Sequence, residues 1–392
     1  MKTVCIVHPS EFSGKGGAEA VAMNVIESLQ NHYEVTVLTV SKFNVNKLNQ
    51  YFGTNVNKNI VIETPNYFGY NYINKIPGLN MGGIKNSLVK KFAKNKSSEY
   101  DILIGTKNEI ILPGKSVQYI HFPSESFGYL DNISEYVGQK QIIKHRRTSR
   151  STGAKIINSI NEYISEYDRD RVSNSVLLAN SKWTANLVEK IYDQRCEVVY
   201  PPIKGSESGN SSWESRENGF ISIGSIHPSK NTLQSIRIID KVRSRGHDVH
   251  LHIIGPIGNK TYYDRVKTES ASREYVHLEG PIERDELLTM MKNHKYGIHC
   301  HPYEHFGMSI AEMVLAGQIP FVPDQGGQTE VVGNIDDVKY VGVIDAVNKI
   351  DGMLAESSRQ YETVGNLPNA KEKFGAERFK EQIRDIVGNH GS

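Results

Sequence analysis

Apolar runs recur along the chain at intervals that leave room for a helix between them. TVCIVH (3–8), EVTVLTV (34–40), DILIGT (101–106) and SVQYIHF (116–122) are short and bounded, as strands buried on both faces are. The first is followed by the loop PSEFSGKGGAE, and apolar positions then return at helical spacing from Ala18 to Leu29. From Phe220 the pattern begins again with GFISIG, HLHIIG (250–255), VHLEG (276–280), KYGIHCH (295–301) and QIPFVPD (318–324). Each is separated from the next by helix-length sequence, and strands alternating with helices predict parallel α/β sheets. Two such series predict two α/β domains.

KGSESGNSSWESREN (204–218) lies between the series and has too little apolar material to bury itself. The expected organisation is a Rossmann-like domain over 1–202, a polar linker or excursion over 203–218 and a second Rossmann-like domain over 219–375. A C-terminal helix over 376–392 is expected to pack back toward the first domain. Open parallel sheets bind ligands at the carboxyl ends of their strands, so the substrates are expected in a cleft between the domains.

Composition narrows the function classes. A chain of 392 residues with 38% hydrophobic and 23% charged residues has enough apolar material for two packed cores. With 46 basic against 44 acidic residues it has no global field to recruit nucleic acid. Cys5, Cys196 and Cys300 are odd in number and lack CxxC spacing, which argues against a disulfide framework and a zinc site and favours a reducing compartment. The opening MKTVCIVH is too short an apolar run for a signal peptide, and no run approaches the ~18 residues needed to span a bilayer. The expectation is a cytoplasmic protein, at most peripheral on a membrane. Such contact is expected through 84–96, where Ile84, Leu88, Val89, Phe92 and Ala93 share a helical face bordered by Lys85, Lys90, Lys91, Lys94 and Lys96. A surface helix packed on its own domain is the alternative. QIIKHRRTSR (141–150) adds a basic cluster suited to a phosphate-bearing acceptor.

The strongest chemical constellation is HPYEHFGMSIAEMVLAG, residues 301–317. A strand runs into a loop, then Gly307, then a helix from about Met308 to Ala316, with Gly317 as its C-terminal glycine. Backbone amides around Phe306, Gly307 and Met308 then lie at a helix N-terminus, where the partial positive charge suits a diphosphate. Glu312 sits among Ile310, Ala311, Met313, Val314 and Leu315, so its carboxylate needs hydrogen-bond donors if it is buried there. The alternative is an ordinary solvated glutamate. The Gly-rich loops match neither GxGxxG nor GxxxxGK[ST], which weakens dinucleotide and ATPase readings. Asp168-Arg169-Asp170 has the form of a DxD metal motif, but NEYISEYDRDRV reads as a polar helix and the triplet as a solvated charge cluster.

EHFGMSIAE has the E-x7-E spacing of glycosyltransferase family 4, and the likeness continues through AGQIPFVPDQGGQTEVVG (316–333). ISIGSIHPSKNTL (221–233) resembles the family's strand, G-R-x-x-x-x-K loop and helix, with Ser225 where the family has arginine. SGKGGAE (13–19) resembles its GGxE loop, and YIHFP (119–123) supplies His121 at a strand end. NSKWTANLVEKIY with CEVVYPP (180–202) resembles the eukaryotic mannosyltransferases that extend lipid-linked oligosaccharides on the cytoplasmic face of a membrane.

The resemblance implies a GT-B arrangement and a retaining, α-linkage-forming transfer of a hexose, with GDP-mannose the favoured donor and a glycan or lipid-linked acceptor. It assigns Glu304 to the donor sugar, Glu312 to the ribose, and the amides of Phe306, Gly307 and Met308 to the diphosphate. Lys230 neutralises the departing diphosphate, with His227 as a substitute for the missing arginine, and His121 faces the sugar or acceptor. Gly16 and Gly17 allow close backbone approach to the donor phosphates or acceptor, with Glu19 on the acceptor side. No metal or other cofactor is required if Lys230 and the helix amides neutralise the diphosphate. Two rival classes share these features: a GT-B-like phosphorylase or epimerase, and a non-catalytic nucleotide-sugar-binding subunit.

Overall fold

The computed structural model describes residues 1–13, 16–67, 70, 82–124, 163–164, 172, 174–205 and 212–391. The basic cluster 141–150 and the Asp168–Asp170 triplet lie outside these residues. The chain divides into two compact units, Met1–Pro202 with Ala376–Ser392, and Ile203–Gly375.

The first unit contains β1 (Thr3–His8), α1 (Gly17–Leu29), β2 (Glu34–Thr39), α2 (Val45–Phe52), β3 (Val61–Glu63), α3 (Gly82–Asn95), β4 (Ile102–Gly105), β5 (Ser116–Ile120), β6 (Val176–Ala179), α4 (Lys182–Tyr192) and β7 (Cys196–Val198). Among the described residues they build a parallel sheet in the order β3-β2-β1-β4-β5-β6-β7. The central strands are the apolar runs: Val4, Cys5, Ile6 and Val7 are fully buried. β1 pairs with β2 from Thr3↔Glu34 to His8↔Thr39 and with β4 from Val4↔Ile102. Strand order reverses between β1 and β4, so the crevice used by open α/β sheets opens beyond His8 and Gly105.

Much of the apolar face of the basic helix α3 is used inside its own domain. Val89, Phe92 and Ala93 are buried in one cluster with Cys5, Val7, Leu38, Val40 and Leu103. Lys85 is itself buried, its Nζ 5.0 Å from the centre of the Tyr70 ring, and Lys96 pairs with Glu63 at 2.7 Å. The part of the stripe formed by Val89, Phe92 and Ala93 is thus the side of a helix that packs on its own sheet, while Ile84 and Leu88 stay partly exposed. No helix of the described residues is long and apolar enough to cross a membrane.

The second unit contains β8 (Glu217–Ile223), α5 (Thr232–Arg243), β9 (His250–Ile254), α6 (Lys260–Ala271), β10 (Val276–Gly280), α7 (Arg284–Asn293), β11 (His294–Ile298), α8 (Met308–Leu315), β12 (Ile319–Pro323), α9 (Gln328–Val332), β13 (Lys339–Tyr340), α10 (Gly342–Ala355), α11 (Ser357–Asn366) and α12 (Ala370–Phe374). Its parallel sheet runs β10-β9-β8-β11-β12-β13, again with a reversal, here between β8 and β11.

The expected linker or excursion 203–218 belongs to this unit and is anchored to it at both ends. Ile203 is buried and its N–H donates to Phe374 O at 2.9 Å. The Trp213 indole donates to Gln360 Oε1 at 3.0 Å. Arg216, 6% exposed, lies over the Trp213 ring and donates to Ala316 O at 3.0 Å. Residues 206–211 lie outside the described residues.

The last helix, α13 (Ala376–Gly391), belongs to the first unit. Phe379, Ile383 and Val387, one helical turn apart, enter the cluster that holds Val21, Val25, Ile26 and Leu29 of α1.

Candidate functional site

Beyond β11 the chain passes through His299, Cys300 and His301 and turns into α8 at Gly307. That residue has φ +98°, and a Cβ there would meet Ile310 Cδ1 at 2.7 Å, so both its conformation and its space exclude a side chain. No side chain caps α8, and the first amides of a helix have no partner within it. Met308 and its successors thus present the positive end of the helix dipole. The Phe306 ring is buried against Phe374 at 5.2 Å, which leaves only its backbone for a ligand. Gly317 has φ +77° and follows the C-cap Ala316, as the glycine after a helix end does.

A second glycine turn holds the Glu304 backbone. Gly326, between β12 and α9, has φ +78°, and a Cβ there would lie 2.6 Å from Glu304 O. The next amide, Gly327 N–H, donates to that oxygen at 2.8 Å. Gln328, fully buried, ties the turn to the strand end by donating to Gln325 O at 2.8 Å and His301 O at 3.0 Å.

Lys230 and Glu304, which stand 74 residues apart, meet at the carboxyl ends of β8 and β11. Lys230 Nζ lies 2.5 Å from Glu304 Oε2, with side chains 28% and 19% exposed. Burial opposes ionisation of Glu304, but Lys230 and His299 outweigh it and hold the carboxyl well below its ordinary range. His299 Nε2 approaches the same oxygen at 3.2 Å, without the alignment of a hydrogen bond. Burial lowers His299, against the pull of Glu304, and lowers His301 to about 3. A buried Nδ1 of His301 and the buried Oε1 of Gln328 have no hydrogen-bond partner among the described residues. They are polar atoms that a ligand can satisfy.

Lys230 ends a 3-10 turn, Pro228–Lys230, whose N-cap is His227. The Ser229 N–H donates to His227 Nδ1 at 3.2 Å, and the Ser229 hydroxyl lies 2.8 Å from the same nitrogen. That nitrogen is thus occupied in shaping the loop. Ser225 and His227 both lie against Gly258, where a Cβ would come within 3.1 Å of His227 Cβ and 3.3 Å of Ser225 Cβ.

Glu312, one turn into α8 and 12% exposed, is not a solvated glutamate. Arg284, the first residue of α7, grips it with two parallel hydrogen bonds, Nη2 to Oε1 at 2.7 Å and Nη1 to Oε2 at 3.0 Å. Arg284 also donates to Lys204 O. Sequence reasoning missed this arginine, as it missed His299 and gave His301 no role.

In the first unit Gly16 caps α1 and Gly17 begins it. Glu19 is 6% exposed and folds over this helix start, accepting from Ser13 Oγ at 2.8 Å; a Cβ on Gly16 would lie 3.2 Å from its Oε1. His121, just past β5, approaches Thr106 O through Nε2 at 3.2 Å. Since a carbonyl only accepts, Nε2 carries the proton. Thr106 Oγ1 also contacts fully buried His8 Nδ1 at 2.9 Å, so the ends of β1, β4 and β5 share one polar junction. Lys107, beside it, is lowered by burial, with Glu19 opposing the shift. Within each unit the expected residues therefore gather at carboxyl strand ends: Gly16, Gly17, Glu19 and His121 in the first, Ser225, His227, Lys230, Glu304, Gly307, Met308 and Glu312 in the second.

Residues 205–373 match the family model of the glycosyl transferases group 1. The chain is 22% identical over 298 residues to a GDP-Man:Man(3)GlcNAc(2)-PP-Dol alpha-1,2-mannosyltransferase of Dictyostelium discoideum, covering 69% of this chain and 58% of that one. It is 26% identical over 263 residues to the enzyme of that name from Mus musculus, covering 62% and 51%. The chain thus spans about half the length of the curated relatives it matches. Among solved structures it is similar to WaaG, a glycosyltransferase involved in lipopolysaccharide biosynthesis, with TM-score 0.68, 15% identity and 98% and 99% of the two chains covered. It is also similar to Anabaena HepE in complex with UDP and glucose, with TM-score 0.65, 14% identity and 99% and 100% covered.

Proposed function

From a chain whose fold is similar to that of solved glycosyltransferases and whose residues 205–373 match the glycosyl transferases group 1 model, we propose a hexosyltransferase that takes its sugar from a nucleotide diphosphate. The observation that carries this reading is the Lys230–Glu304 pair beside the open amino end of α8. A breaking glycosidic bond leaves negative charge on the diphosphate, and a cation with unpaired helix amides is what stabilises it. Lys230, now neutralised by Glu304, exchanges part of that contact for phosphate when donor binds. Glu304 then turns to the sugar hydroxyls, and Glu312, already oriented by Arg284, accepts from the ribose. His121 and the α1 amino end serve donor or acceptor from the first unit.

Within this reading the transfer retains configuration, the donor is GDP-mannose and the acceptor is a glycan or lipid-linked saccharide on the cytoplasmic side. The names of the curated relatives support the donor and the lipid-linked acceptor. Charge neutralisation by Lys230 and α8 makes a metal at the diphosphate unnecessary, so the initial rate is the same with and without added Mg2+ or Mn2+. Calorimetry with GDP, UDP and ADP sugars identifies the donor. Glu304→Gln should then abolish transfer while nucleotide binding persists, and full activity in that variant refutes the assignment.

A further inference from the structure

The amino ends of the second unit's strands, opposite the Glu304 end, carry a cluster of histidines that the transfer chemistry does not use. His250 opens β9, His252 follows on the same face, and His294 opens β11. β8 runs between β9 and β11, so about 9.6 Å separates the two histidine-bearing strands. Their rings meet because β8 offers Gly219, paired with His250. A Cβ at Gly219 would lie 2.1 Å from His250 Nε2 and 2.6 Å from His294 Cδ2. Glycine inside a strand marks such a close approach.

The two imidazoles face each other Nε2 to Nε2 at 3.1 Å. His294 Nδ1 lies 2.7 Å from Met290 O, which only accepts, so the proton is on Nδ1 and Nε2 of the neutral ring holds a lone pair. His252 Nδ1 is tied in the same way to the Glu279 carboxylate at 2.7 Å. A carbonyl or carboxylate behind the imidazole is the partner that orients metal-bound histidines. One ring nitrogen of each of His250, His252 and His294 falls within 4.8 Å of the others. Glu217 Oε2 stands 3.6 Å from His250 Nε2 and 3.9 Å from His294 Nε2. With the 3.1 Å nitrogen separation, all three distances are below the ~4.2 Å that two ligands of one zinc ion can span at about 2.1 Å each, and a small shift of the His252 ring, whose nitrogen lies within 4.8 Å, completes the set.

We propose that His250, His252 and His294, with Glu217, bind one Zn2+ ion that fastens β8, β9 and β11 at their amino ends. Its role is structural, since the reacting groups of the proposed transfer sit at the other end of the same strands. Nitrogen ligands with one carboxylate suit zinc among the divalent ions, and the partial exposure of His250 and His252, 25% and 16%, gives the ion a way in.

The test uses the full chain without a histidine tag, dialysed against chelator and titrated with Co2+. The expected result is one equivalent bound with the visible absorption of tetrahedral cobalt, its stoichiometric displacement by Zn2+, and a Tm that rises with either ion. Glu217→Gln, at a side chain 58% exposed, leaves the fold intact and weakens binding about tenfold or more; His252→Asn weakens it further. A wild-type chain that gives only the spectrum of hydrated cobalt and no change in Tm overturns the proposal and leaves a proton shared between His250 and His294. Wild-type affinity in both variants overturns it equally.

Discussion

Replacing Lys230 by methionine removes the cation 2.5 Å from Glu304 while keeping most of the side-chain volume. Two consequences follow from the geometry. Glu304 loses the largest of the groups that depress its carboxyl, with His299 and His301 left to oppose burial, and the carboxyl rises. In wild type a depressed carboxyl contributes stability that is present in full above the unfolded value near 4.3 and lost as pH falls through the folded value. In the variant that contribution is smaller at neutral pH. Both side chains are partly exposed, so the loss is that of a screened charge-assisted hydrogen bond, about 1–3 kcal/mol. A unit of this size loses roughly 2–4 °C of Tm per kcal/mol. The second consequence is catalytic: removing one preorganised donor from a site of developing negative charge costs about 10²–10³ in kcat. The assays are thermal unfolding at several pH values and transfer kinetics, in a cycle with Glu304→Gln. Coupling of about 1–3 kcal/mol is expected in stability, because the two groups share one interaction. Additive effects, or a kcat within a few-fold of wild type in a folded Lys230→Met protein, refute the reasoning.

Arg284→Met strips Glu312 of both hydrogen bonds and should lower stability by about 1–3 kcal/mol and weaken nucleotide binding in calorimetry, with Arg284→Lys restoring little, since an ammonium cannot form the two-pronged contact. Gly326→Ala must adopt φ +78° and press on Glu304 O; a loss of about 1–3 kcal/mol is expected in denaturant unfolding, with kcat falling more than nucleotide affinity because the displaced group is the Glu304 loop. Phe379→Ala, at a fully buried ring of α13, should cost about 3–5 kcal/mol and lower the unfolding midpoint of the first unit.

The central strands were legible because a strand buried on both faces must be apolar throughout, and VCIV and ILIG in the first unit are such runs. Three of the four edge strands were not, whereas β10 was read with its full bounds. β3, β7 and β13 have three, three and two residues, too few for a period to register, and β13 is fixed by its neighbour β12 rather than by its own sequence. The stripe on α3 shows a related limit. Periodicity reports that Val89, Phe92 and Ala93 share a face, and it cannot say whether that face meets lipid or the sheet. Val89, Phe92 and Ala93 meet the sheet, and Ile84 and Leu88 of the same face stay partly exposed. The stretch 203–218 shows the opposite limit, because two side chains in it, Trp213 and Arg216, supply packing that average composition conceals.

Legibility of the site divides along backbone and side chain. Gly307 and Gly317 could be placed from sequence because a glycine at a helix boundary answers a local need of the backbone. The partner of a buried carboxylate answers a need in three dimensions. Glu312 announced that it required donors, yet nothing in PIERDELL identified Arg284, 28 residues upstream, as the group that supplies two of them. The histidine cluster carries the same lesson further. Cysteine spacing was the wrong place to look for zinc, since the residues that converge are an alternate pair within β9 and a third histidine two strands away, brought within reach by the missing side chain of Gly219. Only His250-x-His252 left a trace in the sequence, as two histidines on one face of a strand otherwise read as apolar. A polar pair at period two inside a buried run therefore has to be explained by what lies across the neighbouring strand, and here that strand offers a glycine.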